Sequence, residues 1–244
     1  MGSSTRSRPE VAPTMQRASA ASRLSEQRRR GVEQAQGISD DAIYAAVLRE
    51  VRALGKRGDA LDFGAGVGNL LRSLHALGEF ASVTGADLMP RPPALAADVR
   101  WVQCDLNAQT PLADESVDLI VSSEVIEHLE NPRAVAREWF RLLRPGGALV
   151  LSTPNTESWR SLAALVLRGH FVAFGETSYP AHITALVRKD IERLLHEAGF
   201  DAVRFTWSGV GGLPRLPSVS WQSVSGGLLR GMRFSDNLVA SARK

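Results

Sequence analysis

The hydrophobic and polar positions of the chain change character near Ser39. Residues 1–37 are mostly Ser, Ala, Arg and Gln with few large apolar groups. Such a segment buries too little surface to offset its ordering entropy, so a disordered or partly helical arm is expected, with a short helix near residues 23–36. From Ser39 onward Ile43, Val47, Leu48, Val51 and Leu54 recur at helical spacing. Ser39-Asp40-Asp41 can cap the start of that helix, and Gly55 and Gly58 close its end. Short apolar runs then alternate with helical patterns. Strands are expected at residues 60–63, 82–86, 99–103, 117–122 and 148–152, and helices at 69–77 and 132–143, the latter ended by Pro145-Gly146-Gly147. A helix over 189–198 stopped by Gly199 and closing strands over 200–207 and 237–242 complete the body. The alternation predicts an α/β fold with a parallel sheet and helices on both faces. Residues 38–244 read as one domain, with insertions at about 156–185 and 209–235, the second rich in Gly, Pro and Ser.

Composition narrows the class. With 44% hydrophobic and 23% charged residues, the chain is ordinary for a globular protein. A single cysteine, Cys104, rules out an internal disulfide framework and any cysteine-based zinc cluster. No apolar run reaches the ~18 residues of a transmembrane helix, and the N-terminus carries arginines without an apolar leader, so a cytoplasmic location is expected. Charge is unevenly spread. Residues 1–37 hold seven arginines against three glutamates, a net +4 of the chain's +3, which leaves the body near −1. A neutral body argues against a dedicated nucleic-acid binder, whose affinity rests on neutralising phosphates.

Candidate chemistry begins at Leu61-Asp62-Phe63-Gly64-Ala65-Gly66-Val67-Gly68-Asn69, a glycine-rich turn between a strand and a helix. Glycines there let the backbone turn tightly and approach a ligand. The dinucleotide order G-x-G-x-x-G is broken by Asn69, and an acid, Asp62, lies just inside the strand end. Asp87 ends the second strand, where a carboxylate can accept hydrogen bonds from both ribose hydroxyls. Asp105-Leu106 follows the third strand and Glu124 the fourth. Acids at consecutive carboxyl ends of a parallel sheet lie where open α/β sheets bind ligands.

From Leu61 to Asn155 the sequence resembles the class I S-adenosylmethionine (SAM)-dependent methyltransferases, of the ubiquinone-type and methyltransferase-11/23-like branch. The resemblance is carried by the D-x-G-x-G-x-G turn, Asp87, Asp105-Leu106, "SVDLIVSSEVIEHLENP" and "LLRPGGALVLSTPN". It implies a Rossmann-like sheet of seven strands, mostly parallel with an antiparallel last strand. It also implies SAM as cofactor: Asp62, Gly64 and Gly66 around the methionine part, Asp87 on the ribose, and Asp105 with the Leu106 backbone at the adenine. Ala65, Leu88 and Glu124 complete the expected cofactor contacts.

Glu124, Glu127 and His128 stand at i, i+3 and i+4, one face if this segment is helical. Two carboxylates and an imidazole suit a general base or a divalent cation. The E-x-x-E-H string is similar to that of ubiquinone-type O-methyltransferases, where it holds Mg2+, and of small-RNA 2′-O-methyltransferases, where a further downstream histidine joins the metal. His182 stands in that place here, although Ala181 and Leu186 depart from the RNA enzymes' pattern. The expectation is therefore an enzyme that methylates a small-molecule acceptor on a hydroxyl, such as a quinone precursor, a natural product or an envelope glycan intermediate. His128 and Glu127 are its candidate catalytic residues, and Glu124, Glu127, His128 and His182 its candidate metal ligands. A metal-dependent RNA 2′-O-methyltransferase and an inactive SAM-binding subunit are the alternatives. No cofactor signal precedes Ser39, so the arm is expected to be dispensable for cofactor binding. Arg137, Arg141 and Arg144 are expected on a solvated helix face, and Trp139, Phe140 and Leu143 in the core.

Overall fold

A computed structural model describes residues 26–31, 34, 37 and 39–244. The expectations for residues 1–25 lie outside the described residues. A short helix, α1, is seen at residues 26–31. In chain order there follow α2 (Asp41–Leu54), β1 (Asp59–Phe63), α3 (Asn69–Ala76), β2 (Ser82–Asp87), β3 (Arg100–Gln103), β4 (Val117–Ser123), α4 (Pro132–Leu142) and β5 (Leu143–Pro154). The chain continues through α5 (Trp159–Arg168), α6 (Arg188–Ala198), β6 (Asp201–Trp207), the hairpin β7 (Gly212–Leu213) and β8 (Leu216–Ser220), the single turn α7 (Trp221–Val224) and β9 (Asn237–Arg243).

Local signals set most of these boundaries. The Asp40 side chain accepts the Ala42 N–H at 2.8 Å to start α2, and Gly55 ends it in the left-handed conformation. Asn131 caps α4, with Pro132 in the first turn, where its missing N–H costs no hydrogen bond. That helix stops at Leu142 because β5 begins at once and carries Pro145-Gly146-Gly147 inside it.

Seven strands form one sheet in the order β3-β2-β1-β4-β5-β9-β6. Neighbours from β3 to β5 run parallel, and β9 is antiparallel to both β5 and β6. Six strands thus share one direction and β9 alone is reversed, the sheet expected from the sequence. Leu119, Ile120, Val121, Leu149, Val150 and Leu151 are fully buried because both faces are covered, so central strands read as unbroken apolar runs. One face packs under α4 and α6 through Trp139, Leu142, Ile191 and Leu195; the other packs under α2 and α3 through Val47, Val51, Leu71 and Leu74. Each such side chain contributes about 1.5–3 kcal/mol of burial. The strand order reverses between β1 and β4, which opens a crevice at their carboxyl ends.

Arg141 departs from the solvated face expected for it. Its guanidinium bonds both oxygens of Glu138 (2.8 and 2.7 Å), the Leu112 carbonyl and Asp114, and Glu138 also accepts the Thr110 N–H and hydroxyl. Helical spacing could not reveal this, since Thr110 and Leu112 arrive from the loop before β4. Burial pushes the Glu138 carboxyl up, but the bonds from Arg141 and Thr110 win and hold it below the usual glutamate range. A group lowered in this way stabilises the fold above its unfolded pKa and loses that contribution as pH falls. Glu138→Ala is expected to cost about 2–3 kcal/mol in urea unfolding at neutral pH. The difference from wild type should shrink in acid, below the ordinary glutamate pKa of ~4.3.

Candidate active site

The crevice is a cavity of about 490 Å³ at the carboxyl ends of β1, β2 and β4. Asp62, Gly64, Ala65, Gly66, Asp87, Leu88, Asp105, Leu106, Glu124, His128 and His182 all line it; Glu127 lies behind its wall. A Cβ on Gly64 would collide with Val125, and one on Gly66 with the Gly37 backbone; both have positive φ, +91° and +51°. Only glycine satisfies space and backbone together at these positions. The turn is clamped from β2: Asp87 accepts the Gly66 N–H at 2.7 Å with one oxygen and the Met89 N–H at 2.8 Å with the other.

Asp62 is 1% exposed, and its Oδ2 has no hydrogen-bond partner. Burial, reinforced by the charge of Asp87, raises its pKa to about 8, against a single backbone N–H from Leu71. A buried carboxylate that is short of a donor and lines the cavity fits a cationic ammonium, which the methionine part of SAM carries. The glycine approach and the Asp87 carboxylate are likewise what a nucleoside linked to methionine requires.

At the far side, Glu124 ends β4 with φ +55°, and only Ile126–His128 form a short 3-10 turn. The expectation that Glu124, Glu127 and His128 share one helical face therefore does not hold. The Glu124 N–H is taken by the Ser152 carbonyl and hydroxyl (both 3.1 Å), and its positive φ keeps the residue out of a right-handed helix. Its carboxylate accepts from Ser152 and Asn237 at 3.0 and 2.8 Å.

Glu127, His128 and His182 instead come together, each offering a ligand atom within 4.8 Å of the others. His128 Nδ1 donates to the Ala181 carbonyl at 2.8 Å and His182 Nδ1 to the Ala173 carbonyl at 2.7 Å. A carbonyl only accepts, so these bonds fix the protons on Nδ1 and leave both Nε2 lone pairs open. Burial lowers both imidazole pKa values and keeps the rings neutral. Glu127 is fully buried; Oε2 accepts from Thr153 at 3.1 Å and Oε1 is unpartnered, and burial raises the pKa of both Glu127 and Glu124. Two open imidazole nitrogens beside an unpartnered carboxylate oxygen fit a divalent cation, with Glu124 outside the group.

The arm does not stand apart from this site. Gln27, Arg28, Gly31 and Gly37 line the cavity. Arg28 bonds Asp105 at 2.6 Å and both oxygens of Glu130 at 2.8 Å; Gln34 reaches the Thr177 carbonyl, and the Gly37 carbonyl accepts the Val67 N–H. Asp105 is further held through Asn107. In sequence Arg28 sits in a run of three arginines that reads as solvated, and nothing local marks it as a partner for residues 77 and 102 positions away.

Residues 33–204 match the family model of a methyltransferase domain. A ubiquinone biosynthesis O-methyltransferase from Xanthomonas oryzae pv. oryzae is 32% identical over 160 residues, covering 56% of this chain and 66% of that protein. The chain spans between 32% and 66% of the length of such curated relatives. Among solved structures, a SAM-dependent methyltransferase from Archaeoglobus fulgidus superposes with a TM-score of 0.60 at 18% identity, covering 87% of this chain and 97% of that one. The 1,6-didemethyltoxoflavin-N1-methyltransferase of Burkholderia thailandensis gives the same TM-score and identity over 97% of this chain and 93% of its own.

Two outcomes are expected. In ligand-free protein the folded state keeps a proton on Asp62 that the unfolded chain releases, so stability falls as pH rises from about 4 toward 8. Asp62→Asn should raise Tm at pH 8 by several degrees, at ~2–4 °C per kcal/mol, while weakening SAM binding in calorimetry. Arg28→Ala should weaken S-adenosylhomocysteine binding about fivefold, the scale of a partly exposed ion pair of ~1 kcal/mol, and speed its dissociation in stopped flow. Unchanged affinity and rate would mean that α1 does not cover the ligand.

Proposed function

The chain belongs to the class I SAM-dependent methyltransferase family, and from that premise we propose that it transfers the methyl group of SAM to a hydroxyl of a small-molecule acceptor. The observation that carries this reading is the Glu127–His128–His182 group: two half-buried imidazoles line the cofactor cavity, each with its Nδ1 bonded to a carbonyl, and the buried Glu127 carboxyl lies behind them. SAM supplies an electrophilic methyl group on a sulfonium. The chain's own part is alignment, exclusion of water and handling of the acceptor's proton.

Asp62 and the Gly64–Gly66 backbone receive the methionine part, Asp87 the ribose hydroxyls, and Asp105 with the Leu106 backbone the adenine. Ala65, Leu88 and Glu124 line the remaining contact. His128 Nε2 accepts the acceptor's hydroxyl proton, and its Nδ1 bond to Ala181 keeps the imidazole in the tautomer that can do so. Thr153 and the backbone around Glu127 hold that carboxyl behind the imidazole; the Glu127 carbonyl itself accepts the N–H groups of Ile183 and Thr184, tying the segment that bears His182 to the site. Mg2+ held by Glu127, His128 and His182 would occupy that same Nε2 lone pair and, in place of the imidazole base, would lower the pKa of the acceptor hydroxyl.

A small acceptor is favoured over RNA for a structural reason. Arg28, one of the arm's seven cations, is spent on Asp105 and Glu130 inside the protein. The body is nearly neutral overall and so offers an RNA backbone little net attraction. The ubiquinone biosynthesis relatives, named as O-methyltransferases, support oxygen as the methylated atom.

Screening labelled-methyl transfer from SAM across metabolite, lipid, glycan and RNA fractions tests the acceptor class, and incorporation confined to RNA would overturn it. With an acceptor in hand, His128→Ala is expected to lower kcat by 10²–10⁴-fold, the range for a general base. Because the His128 pKa is lowered, activity should rise through an ionisation below ~6.5 and be flat by neutral pH. If a cation is required, chelator abolishes turnover and His182→Ala is as severe as His128→Ala; if His128 acts alone, chelator has no effect and His182→Ala is mild. Turnover that survives both chelation and His128→Ala removes both mechanisms.

A further inference from the structure

Among the described residues, the exposed large apolar side chains are confined to one part of the chain. All ten exposed large apolar side chains among the described residues fall between Trp159 and Leu228, in α5, the segment after it and the β7–β8–α7 excursion. Val166, Leu167 and Leu228 are 83%, 69% and 86% exposed. Scattered apolar residues need no explanation, but a concentration of this kind marks a surface that is covered in use.

These elements also touch one another. Arg233 lies 5.2 Å over the Trp159 ring, Trp221 packs edge-on against Phe234, and Arg160 and the Gly212 N–H share Asp236. Arginine outweighs acid in them, with Glu157, Glu176 and Asp236 at their borders. Residues 158–175 and 208–235 contain five arginines and neither aspartate nor glutamate. Arg168, Arg215 and Arg230 are exposed beside the apolar residues, and no ion pair neutralises them among the described residues.

We infer that this face docks on an anionic lipid surface. Eight of the ten exposed apolar side chains are aliphatic and have no stacking face for nucleic-acid bases, whereas aliphatic residues beside arginines outside any ion pair, with Trp159 and Tyr179 exposed among them, match the boundary between acyl chains and charged headgroups. No helix of the described residues is long and apolar enough to cross a membrane, so the association is peripheral. The first turn of α5 lines a second cavity of about 190 Å³ through Ser158, Arg160 and Ser161, and this cavity reaches Glu124 and His182 at the candidate active site. Docking would therefore bring the acceptor side of the site to the headgroup layer, where an amphiphilic acceptor resides; this last step rests on the methyltransferase reading, and the docking does not.

Co-sedimentation of the full chain with phosphatidylcholine vesicles, with and without phosphatidylglycerol, tests the proposal. Binding is expected only with phosphatidylglycerol and should weaken with salt. The variant V166D/L167D/L228D, which keeps every arginine of the arm, should lose at least about tenfold in partitioning. R168Q/R215Q/R230Q should lose a similar factor. S-adenosylhomocysteine affinity should be unchanged in both variants, which shows that they fold. Wild type that ignores vesicles, or an aspartate variant that binds them as well as wild type, overturns the proposal. A wild-type dimer in light scattering that V166D/L167D/L228D makes monomeric, without vesicle binding, assigns the face to a second copy instead. Failure of wild type to bind S-adenosylhomocysteine would sink the methyltransferase reading while leaving the vesicle result standing.

Discussion

Carboxylates buried at the carboxyl ends of a parallel sheet are the constraint around which the rest of this structure is arranged. Asp62, Asp87 and Glu127 are almost inaccessible to water, and each resists ionisation because burial removes the solvent that would stabilise its charge. Asp87 is compensated by backbone N–H groups from Gly66, Leu88 and Met89, and in return fixes the glycine turn. Asp62 and Glu127 each keep one oxygen without a partner. Such groups cost stability, so the fold must supply it elsewhere. It does so in the two apolar layers that sandwich the sheet, where Phe63, Trp139, Leu71 and Leu149 are fully buried. The site's deficit and the core's surplus belong to one design, since an unpartnered buried carboxylate gives a cationic ligand something to gain.

The sheet's reversal between β1 and β4 decides where that deficit lies, and the chain's two ends complete it. From one side, α1 brings Arg28 to Asp105 and Glu130, so a residue from the arm closes the wall that α/β connectivity leaves open. From the other, β9 inserts between β5 and β6 and carries Asn237, whose amide holds Glu124. The Glu127 carbonyl binds Ile183 and Thr184 and so anchors the insertion that brings His182 to His128, their rings 4.8 Å apart. The candidate chemistry thus depends on segments outside the repeating strand–helix pattern.

The insertion that bears His182 and the excursion before β9 carry the exposed aliphatic and arginine side chains. Elements that pack on the sheet present one apolar face and bury it, as α2, α4 and α6 do. In α5 only Ser161 and Ala164 are buried, while Leu165, Val166 and Leu167 turn outward. Its apolar residues therefore exceed what the core can take.

The sequence by itself determined the α/β class, the positions of the glycine turn and of Asp87, Asp105 and Glu124 at strand ends, and the cap of α2. These are set by local physics: periodicity, glycine conformation and side-chain capping act within a few residues and leave their mark in the order of amino acids. Only the tertiary structure decided the rest. Helical spacing placed Glu124 with Glu127 and His128 on one helix face, but Glu124 takes φ +55° after β4 and its carboxylate is held by Ser152 and Asn237. Arg141 read as solvated until the Thr110 loop closed over Glu138. Arg28 read as part of a free basic arm until Asp105 and Glu130 were folded into its reach. In each case the deciding partner is distant in sequence, and the energy of a long-range hydrogen bond or ion pair leaves no period, cap or turn by which one strand of text could announce it.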